Sequence, residues 1–422
     1  MSTETTQPLS EFAEINPRTD LNGMRGDTIV SFIPMSDVSE SGRWVERRER
    51  RLEEVRVGYT PFVEKDVLFA KITPCMENGK GAHATSLKNG VGFGSTEFHV
   101  LRARGDNDSR FLFHWLQARV TRTKAVAYMG GPAGQQRVQA DFFSCFRIPR
   151  IDPREQSRIA TVLDTVDEAI AKTVAVIAKL KQVRAGLLHD LLTCGLDEHG
   201  RLRDPVAHPE QFQDSPLGRI PKDWKVQHLN NVVRIIDCKH FTPKFVREGK
   251  AFIRPRNVKP EGLDFSDVDY ISDEDFALLT DKHIPRVGDL VFSRNATFGV
   301  ASYVEHPVPF AIGQDTVIMT EKTANTCFVY FVLRSSLVES QIQRVSTGST
   351  FGRINLAFIR SLSVPDPYRP EQDAVAERML AFDAQMKAEE NHLSKLRLLK
   401  SGLMNDLLTG RVRVPEEIAV TG

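Results

Sequence analysis

Two glycine-containing loops carry side chains that are suited to hydrogen bonding with nucleic acid. The first reads GGPAGQQR over residues 130–137, and the second reads TGSTFGR over residues 347–353. Glycine lets a backbone approach a phosphate closely, and arginine, glutamine and asparagine can form paired hydrogen bonds with base edges. The alternative is a tight turn whose arginine packs on its own domain. The candidates in and beside these loops are Gln135, Gln136, Arg137, Gln139, Arg353 and Asn355.

Further polar residues follow segments that are typical of strands. The apolar runs in DVLFAK (66–71) and DLVFSR (289–294) are each entered through a polar residue and predict buried strands. Polar side chains at a strand end suit contact with a DNA groove, whereas the alternatives are a solvated hairpin or an ordinary basic surface turn. The run from Arg43 to Arg51 alternates with glutamates, which favours a solvated helix face. The strand-end candidates are Lys71, Asn78 and Lys80, then Arg254, Arg256, Asn257 and Lys259, and finally Arg294, Asn295 and Thr297.

The sequence lacks the motifs of several enzyme classes. It contains neither the [ND]PP[YF] tetrapeptide of amino-methyltransferases nor a GxxxxGK[ST] phosphate loop. Its 11 histidines have no metal-ligand spacing, and its five cysteines are scattered without a CxxC pair. We therefore expect a chain with no catalytic residues, no metal, no cofactor and no disulfide framework.

Composition limits the class and the compartment of the protein. A chain of 422 residues is too long for one ordinary core, and 41% hydrophobic residues is typical of a globular protein. The net charge of +1 argues mildly against nucleic acid as a partner, although basic residues gather locally at 239–256 and 344–360. No apolar run approaches the ~20 residues of a membrane span, and the first residues do not resemble a signal peptide. We expect a cytoplasmic protein.

A long segment of the chain occurs twice. Residues 155–193 return without a gap as residues 371–409, and subtracting 155 from 371 gives an offset of 216. The same offset pairs Asp167 with Asp383 and the two DLLT sequences that end the segments. A duplicated segment of this length predicts a duplicated architecture.

Each copy of this segment has the pattern of a long packed helix. Apolar residues recur at steps of three and four, as in Ile159, Leu163 and Val166. Proline stands just before each predicted helix, and Gly195 and Gly410 follow as C-caps. A helix from Glu155 to Leu192 would be roughly 57 Å long.

The segments between the helices repeat more faintly. FLFHWL at 111–116 and FVYFVL at 328–333 both favour helices, and the two strand predictions above occupy related places. Because domain termini tend to lie close together, the second helix most simply runs back along the first. We therefore predict an α+β fold in which two globular α/β domains alternate with two long antiparallel helices, forming a coiled-coil spacer with pseudo-two-fold symmetry. The predicted regions are a first domain at 1–148, a central helical region at 149–200, a linker at 201–219, a second domain at 220–364 and a C-terminal helical region at 365–422.

Several stretches, taken together and in order, resemble the DNA-specificity subunit of type I restriction–modification systems. They include DVLFAKITPCMENGKGA (66–82), LGRIPKDW (217–224) and the EQxxIA helix start at 155–160. The helix ends GLLHDLLTCG (186–195) and GLMNDLLTGR (402–411) also match. The resemblance covers almost the whole chain, except that the first domain lacks the IPxxW sequence that opens the second.

The resemblance implies a division of labour between domains and helices. Each globular domain would be a target-recognition domain that reads one half of a bipartite, asymmetric site in double-stranded DNA. The helices would set the unread spacer and dock two modification subunits, and restriction subunits would complete the complex. Methylation and ATP-driven cleavage would belong to those other chains.

Two other functions remain open at this point. The chain could be a DNA-independent coiled-coil scaffold, or a fused restriction–methyltransferase trimmed to its end. The missing catalytic motifs argue against the second of these. Two unlike domains with Asn-, Gln- and Arg-containing loops argue against the first.

Overall fold

The structure, a computed structural model, describes residues 6–132, 134–294, 299–346 and 354–418. The chain forms two compact units. Unit 1 comprises Met1–Ala175 with Asn391–Gly422, and unit 2 comprises Val176–Glu390. Each unit therefore contains one globular region together with parts of both long helices.

The globular region of unit 1 contains two four-stranded sheets and several short helices. One sheet has the order β2-β9-β6-β7, and the other has the order β4-β3-β8-β5. The strands are β1 (Thr6–Pro8), β2 (Ala13–Ile15), β3 (Ile29–Ile33), β4 (Arg48–Arg51), β5 (Thr60–Val63), β6 (Val67–Ala70), β7 (Gly81–His83), β8 (Val91–Gly94), β9 (Phe98–Ala103), β10 (Met129–Gly130), β11 (Arg137–Val138) and β12 (Arg147–Pro149). The helices are α1 (Leu9–Phe12), α2 (Leu52–Val55), α3 (Ser109–Gln117), α4 (Arg119–Val126), α5 (Asp141–Cys145) and the long α6 (Pro153–Thr193).

Unit 2 repeats the first sheet of this plan, whereas its second sheet carries its fourth strand on the opposite edge. Its sheets have the orders β16-β25-β22-β23 and β17-β21-β18-β24. The strands are β13 (Phe212–Ser215), β14 (Gly218–Pro221), β15 (Lys225–His228), β16 (Val233–Asp237), β17 (Phe245–Val246), β18 (Lys250–Ile253), β19 (Val258–Lys259), β20 (Gly262–Leu263), β21 (Asp269–Ile271), β22 (Leu290–Ser293), β23 (Ala301–Tyr303), β24 (Phe310–Ile312), β25 (Thr316–Glu321) and β26 (Ser363–Asp366). The helices are α7 (Leu229–Val232), α8 (Asp273–Leu279), α9 (Thr326–Leu333), α10 (Ser336–Ser346), α11 (Leu356–Ser361) and the long α12 (Arg369–Leu408).

The predicted buried strands are confirmed as β6 and β22. All residues of both strands are buried, because each lies in the middle of a four-stranded sheet. An aspartate precedes each strand and is tied to its own turn. Asp66 accepts hydrogen bonds from the Val63 backbone and from Arg102, whereas Asp289 accepts from the Arg286 backbone and lies 2.6 Å from His283. The polar turn that precedes each strand is therefore held in place by hydrogen bonds to its aspartate.

The repeat extends to the very start of unit 1, which the sequence did not reveal. There β1, α1 and β2 follow one another as β15, α7 and β16 do in unit 2. β1 pairs with β12, and β15 pairs with β26, so each domain closes on its own last strand. The second domain alone has the β13–β14 hairpin before this motif, and the hairpin lies partly within the segment predicted as a linker.

The Arg43–Arg51 run does not form the predicted helix face. Its last four residues are the edge strand β4, which pairs antiparallel with β3. The mixed charge here reflects a strand in which Glu49, Arg50 and Arg51 are exposed and Arg48 is half-buried, and α2 begins only at Leu52.

The two long helices are confirmed, and each begins slightly earlier than predicted. Pro153 is the first residue of α6 and Pro370 is the second of α12, because a first-turn proline lacks only an N–H that would have no partner. Gly195 and Gly410 have positive φ angles of 67° and 74°, as expected for C-caps.

Within each unit the helices run antiparallel. In unit 1 the beginning of α6 (Ile159, Leu163) shares a hydrophobic core with the end of α12 (Leu407, Leu408). In unit 2 the end of α6 shares a core with the beginning of α12, including Leu191 and Val375. Among the described helices, none has both the length and the apolar character that crossing a membrane requires.

Candidate nucleic-acid interface

In unit 1 the segment that follows β6 lies beside the end of the glycine-containing loop at residues 130–137. The Val138 amide donates to the Lys71 carbonyl at 2.9 Å, and the Thr73 amide donates to the Gln136 carbonyl at 3.0 Å. Ile72 and Arg137 form an isolated antiparallel bridge. The end of β6 and the loop between β10 and β11 therefore form one continuous surface.

Unit 2 makes the same junction between its equivalent segments. The Ile354 amide donates to the Arg294 carbonyl at 3.0 Å, as Val138 does to Lys71. The candidates Asn295, Thr297 and Arg353 lie outside the described residues and stay predictions. The recurrence of this junction shows that both domains bring the same two chain segments together.

The candidates differ in how far their side chains are available. Gln135, Gln139 and Asn78 are exposed, and Lys71, Gln136 and Lys259 are half-buried. Two of the exposed amides have internal partners, since Gln139 donates to the Arg137 carbonyl and Asn78 donates to Glu40 at 2.9 Å. These side chains can exchange such surface contacts for others at little cost.

Arg137 packs on its own domain. Its Nη2 lies 2.7 Å from Oε1 of Glu97, and its Nε lies 3.0 Å from Oε2. The hydrogen bond from Arg137 holds the pKa of the Glu97 carboxyl below its usual value. Lys80 is similarly engaged, because its Nζ donates to the Met35 carbonyl at 3.0 Å. The alternative of an arginine that packs on its own domain therefore describes Arg137 in this structure, and Lys80 is also bound to its own domain.

Arg254 and Arg256 converge on one carboxylate in unit 2. Arg254 Nη1 and Arg256 Nη2 lie 3.0 and 3.3 Å from Oδ2 of Asp269. Both arginines keep more than 40% of their side-chain surface exposed, at 43% and 42%. The Arg254 guanidinium also lies 5.9 Å from the ring centroid of Phe245, a half-exposed aromatic side chain. This group combines positive charge with an aromatic face, which suits contact with nucleic acid.

Two candidates have a structural role. Asn257 is only 1% exposed, donates to the Asp264 and Asp267 carbonyls, and accepts from the Arg254 amide. Arg294 is 6% exposed and lies 2.9 Å from Oδ1 of Asp237. We expected both on the surface, but an enclosed side chain whose hydrogen bonds are satisfied does not reach a base edge. Asn355 is exposed, yet its Oδ1 caps α11 by accepting from the Phe358 amide at 2.7 Å.

Sequence reasoning missed Arg122, which lies behind the loop after β6. It is 6% exposed, and its guanidinium lies 4.1 Å from the ring centroid of Phe69. Burial lowers its pKa to about 9, so it stays protonated at neutral pH. Its position in the basic segment RVTRTK gave no signal, because nothing local distinguishes it from Arg119 or Lys124.

Sequence reasoning also missed a contact that a glutamine at the start of each long helix makes with its own domain. Gln156 Oε1 accepts from the Asp108 amide, and Gln372 Oε1 accepts from the Asn325 amide. Asp108 and Asn325 are the N-caps of α3 and α9. The repeated EQ pair in the sequence was the available signal, and it marks where each helix is joined to its domain.

The described residues contain no group of three or more His, Cys, Asp or Glu side chains that could hold a metal ion. What the repeated junction offers is a set of amide, guanidinium and ammonium donors on two similar frames. Such groups bind and orient a polyanion, and they distinguish bases through hydrogen bonds.

Comparison with known proteins agrees with this geometry. The family model described as "Type I restriction modification DNA specificity domain" matches twice, at residues 8–182 and 221–398. The specificity subunit of the MjaVIII type I restriction enzyme of Methanocaldococcus jannaschii is 24% identical over 315 residues, covering 73% of this chain and 71% of that protein. The EcoAI specificity subunit of Escherichia coli is 38% identical over 247 residues, covering 58% of this chain and 37% of that protein.

Solved structures share the fold along nearly the whole chain. The S subunit of a type I restriction–modification system from M. genitalium has a TM-score of 0.58 at 14% identity and covers 96% of both chains. A chain from a study of assembly and conformational transition in the type I R-M system also has a TM-score of 0.58, at 17% identity, and covers 97% of this chain and 98% of its own length. Because the family model matches both domains, each on its own copy of the same two-sheet frame, this chain belongs to the family of type I restriction–modification specificity subunits.

Proposed function

We propose that this chain is the non-catalytic DNA-reading subunit of a type I restriction–modification complex. Each globular domain reads one half of a bipartite, asymmetric site, and modification and restriction subunits supply methylation and ATP-driven cleavage. The observation that carries the proposal is the repeated junction, in which equivalent segments of different sequence meet in both domains. A shared frame with different donors suits the reading of two different DNA words.

The donors available in each domain support this division. Unit 1 offers the exposed amides of Gln135, Gln139 and Asn78, together with Lys71. Unit 2 offers the half-exposed guanidiniums of Arg254 and Arg256. Amide side chains pair well with adenine and guanidinium groups with guanine, so the two domains favour different base patterns.

We further propose that the long helices set the unread spacer and dock two modification subunits. The 41 residues of α6 correspond to a rod of about 62 Å, and one turn of B-DNA repeats every ~34 Å. A rod of this length is compatible with words that are one to two turns apart.

Specific binding is expected to depend on these partner subunits. With 56 basic and 55 acidic residues, the chain has little net charge to attract phosphates by itself. Carboxylates also neutralise several of its candidate cations, as at Arg137 and Arg254.

The test is a single-molecule methylation map of a host that carries the neighbouring modification gene, with and without this chain. A split motif with a fixed gap should appear only when the chain is present. Replacing residues 220–364 with the second domain of another family member should then change one half of the motif. A change in both halves would contradict modular reading, and no dependence on the chain would favour a DNA-independent scaffold.

The spacer role has a separate test. Inserting one heptad into each long helix should lengthen the unread gap while leaving both words unchanged. An unaltered gap in a folded, active complex would refute the proposal that the long helices set the spacer.

A further inference from the structure

Arg122 is a buried cation that is satisfied by backbone carbonyls. Its Nε donates to the Leu116 carbonyl at 2.7 Å, and its Nη1 donates to the carbonyls of Met76 at 3.1 Å and Lys80 at 3.2 Å. Its Nη2 lies 3.4 Å from the Gly79 carbonyl. Among the described residues, no carboxylate offsets the effect of burial on the Arg122 guanidinium. A charge buried without a counterion is costly, so its hydrogen bonds and its contact with Phe69 must hold it in place.

Three of these four carbonyls belong to the loop between β6 and β7. This loop folds on itself, since the Asn78 amide donates to the Pro74 carbonyl and the Lys80 amide donates to the Cys75 carbonyl. The carbonyls that face inward are the ones that Arg122 binds. One side chain on α4 therefore holds the inner surface of the loop, while Asn78 remains exposed on the outer surface.

Two glycines make this arrangement possible. Gly79 has a φ of +83°, and a Cβ at this position would lie 2.6 Å from the Glu40 carbonyl oxygen. At Gly81 a Cβ would lie 2.7 Å from the Leu68 oxygen and 3.2 Å from Nη2 of Arg122. The NGKG sequence is therefore shaped to admit the guanidinium as well as to make a turn.

We propose that Arg122 is a positioning residue for DNA reading by the first domain. It fixes the Pro74–Lys80 loop, and with it Asn78, at the surface that faces the first DNA word. The inference rests on the proposed function, because it assumes that this loop contacts DNA.

Among the described residues of the second domain, the position equivalent to Arg122 holds no arginine. The N-caps Asp108 and Asn325 define an offset of 217 between α3 and α9, since 325 − 108 = 217. The same offset relates Arg122 to Glu339 on α10, whose exposed carboxyl group does not offer the forked N–H donors of a guanidinium. Loss of Arg122 should therefore change the reading of one word only.

Arg122→Lys is the informative variant. Lysine keeps the charge but has one compact ammonium group, which does not span carbonyls from four residues as a planar guanidinium does. Thr121→Val is the matched control on the same helix. Thr121 is buried and its Oγ1 donates to the Trp115 carbonyl at 2.6 Å, away from the loop. Glu339→Gln is the control in the second domain.

The experiment uses the full chain assembled with its modification subunits. Hydrogen exchange at the amides of residues 76–80 measures the loop, and a methylation map measures discrimination at each word. For Arg122→Lys we expect exchange at these amides to accelerate at least about tenfold. Discrimination in the first word should fall on the order of tenfold, with the second word unchanged. Both control variants should leave discrimination at both words unchanged.

Two outcomes would overturn the inference. One is a loosened loop with both words retained, which would show that the loop does not read DNA. The other is equal relaxation by Thr121→Val, which would show a general loss of domain stability. If Arg122→Lys does not assemble, Arg122→Gln removes the buried charge and keeps two N–H donors, and the same criteria apply. Failure of the proposed function differs from both outcomes, because swapping residues 220–364 would then leave both words unaltered.

Discussion

The two domains each bury an arginine close to the junction, but they use arginines from different elements. In the first, Arg122 reaches from α4 to the carbonyls of the loop after β6. In the second, Arg294 at the end of β22 pairs with Asp237 and donates from Nε to the Ile354 carbonyl at 3.2 Å. Both solutions bury a guanidinium behind the segment that the sequence marked as a candidate for DNA contact. The difference teaches that the backbone frame is what repeats, while the side chains that hold it are free to change.

The helix starts show the same principle with a sharper contrast. Gln156 and Gln372 make matching contacts, but the preceding glutamates have different surroundings. Glu155 accepts from Arg413, whose side chain is 74% exposed. Glu371 accepts from the Leu196 amide, from Arg203 at 2.6 Å and from the Trp224 indole at 3.0 Å. One position is therefore tied to a surface arginine and the other to a buried network.

The largest expected effect on stability comes from replacing each of the two glutamates with alanine. Glu371→Ala leaves Arg203, which is 12% exposed, without its main counterion and should destabilise unit 2 by about 3–5 kcal/mol. Glu155→Ala leaves an arginine already in solvent and should cost unit 1 about 1 kcal/mol or less. Native-state hydrogen exchange measures each unit separately, and Trp224 fluorescence reports on unit 2.

Glu371→Gln supplies the control for that experiment. It retains an acceptor oxygen but removes the charge, so its cost should lie between those of the wild type and the alanine variant. Equal losses for the two alanine variants would show that the Glu371 network contributes no more than the pair between the buried Glu155 and the exposed Arg413.

A smaller effect concerns the stability of unit 1 at acidic pH. His83 in β7 and Tyr303 in β23 hold equivalent positions, since they pair in register with Val67 and Leu290. Burial lowers the pKa of His83 from 6.5 to about 4, and it also lowers the pKa of His99 in the same unit. Between pH 6.5 and 4 the unfolded chain binds more protons at His83 than the folded chain. The stability of unit 1 should therefore be full above pH 6.5 and fall towards pH 4, by up to roughly 3 kcal/mol from His83.

The matched variant for this prediction is His83→Gln. Glutamine can keep a hydrogen bond with Ser109, which lies 2.9 Å from Nε2 of His83, but it does not titrate. After correction for the intrinsic pH dependence of amide exchange, the free energy of unfolding of unit 1 should fall less steeply with decreasing pH in the variant than in the wild type, by the share that His83 contributes. A profile identical to that of the wild type would refute the role of His83.

The sequence allowed much of the frame to be predicted, because the frame depends on local pattern. Apolar runs predicted β6 and β22, and the steps of three and four predicted both long helices. The burial of Arg294 was not predictable, because its partner Asp237 is 57 residues away along the chain. Arg122 is similar, since its carbonyl partners in the loop are 42 to 46 residues distant. Hydrophobic periodicity carries no information on which basic side chain will be enclosed.

The smallest expected effect compares two ion pairs between the long helices. Lys400 Nζ lies 2.6 Å from Oδ1 of Asp167 in unit 1, and Arg184 Nη2 lies 2.9 Å from Oδ2 of Asp383 in unit 2. These pairs are equivalent, because 383 − 167 and 400 − 184 both equal 216. Arg184 uses two nitrogens on both carboxylate oxygens, which raises its pKa, whereas lysine makes a single contact.

Double-mutant cycles on the two pairs can sharpen this comparison. The cycle with Arg184→Met and Asp383→Asn should give a coupling energy of about 1–2 kcal/mol, because the forked contact is partly buried and geometrically fixed. The cycle with Lys400→Met and Asp167→Asn should give about 0.5–1 kcal/mol. Replacing Lys400 with arginine should bring the second coupling up towards the first. If the lysine pair already matched the arginine pair, burial rather than forked geometry would determine how strongly these helices are held together.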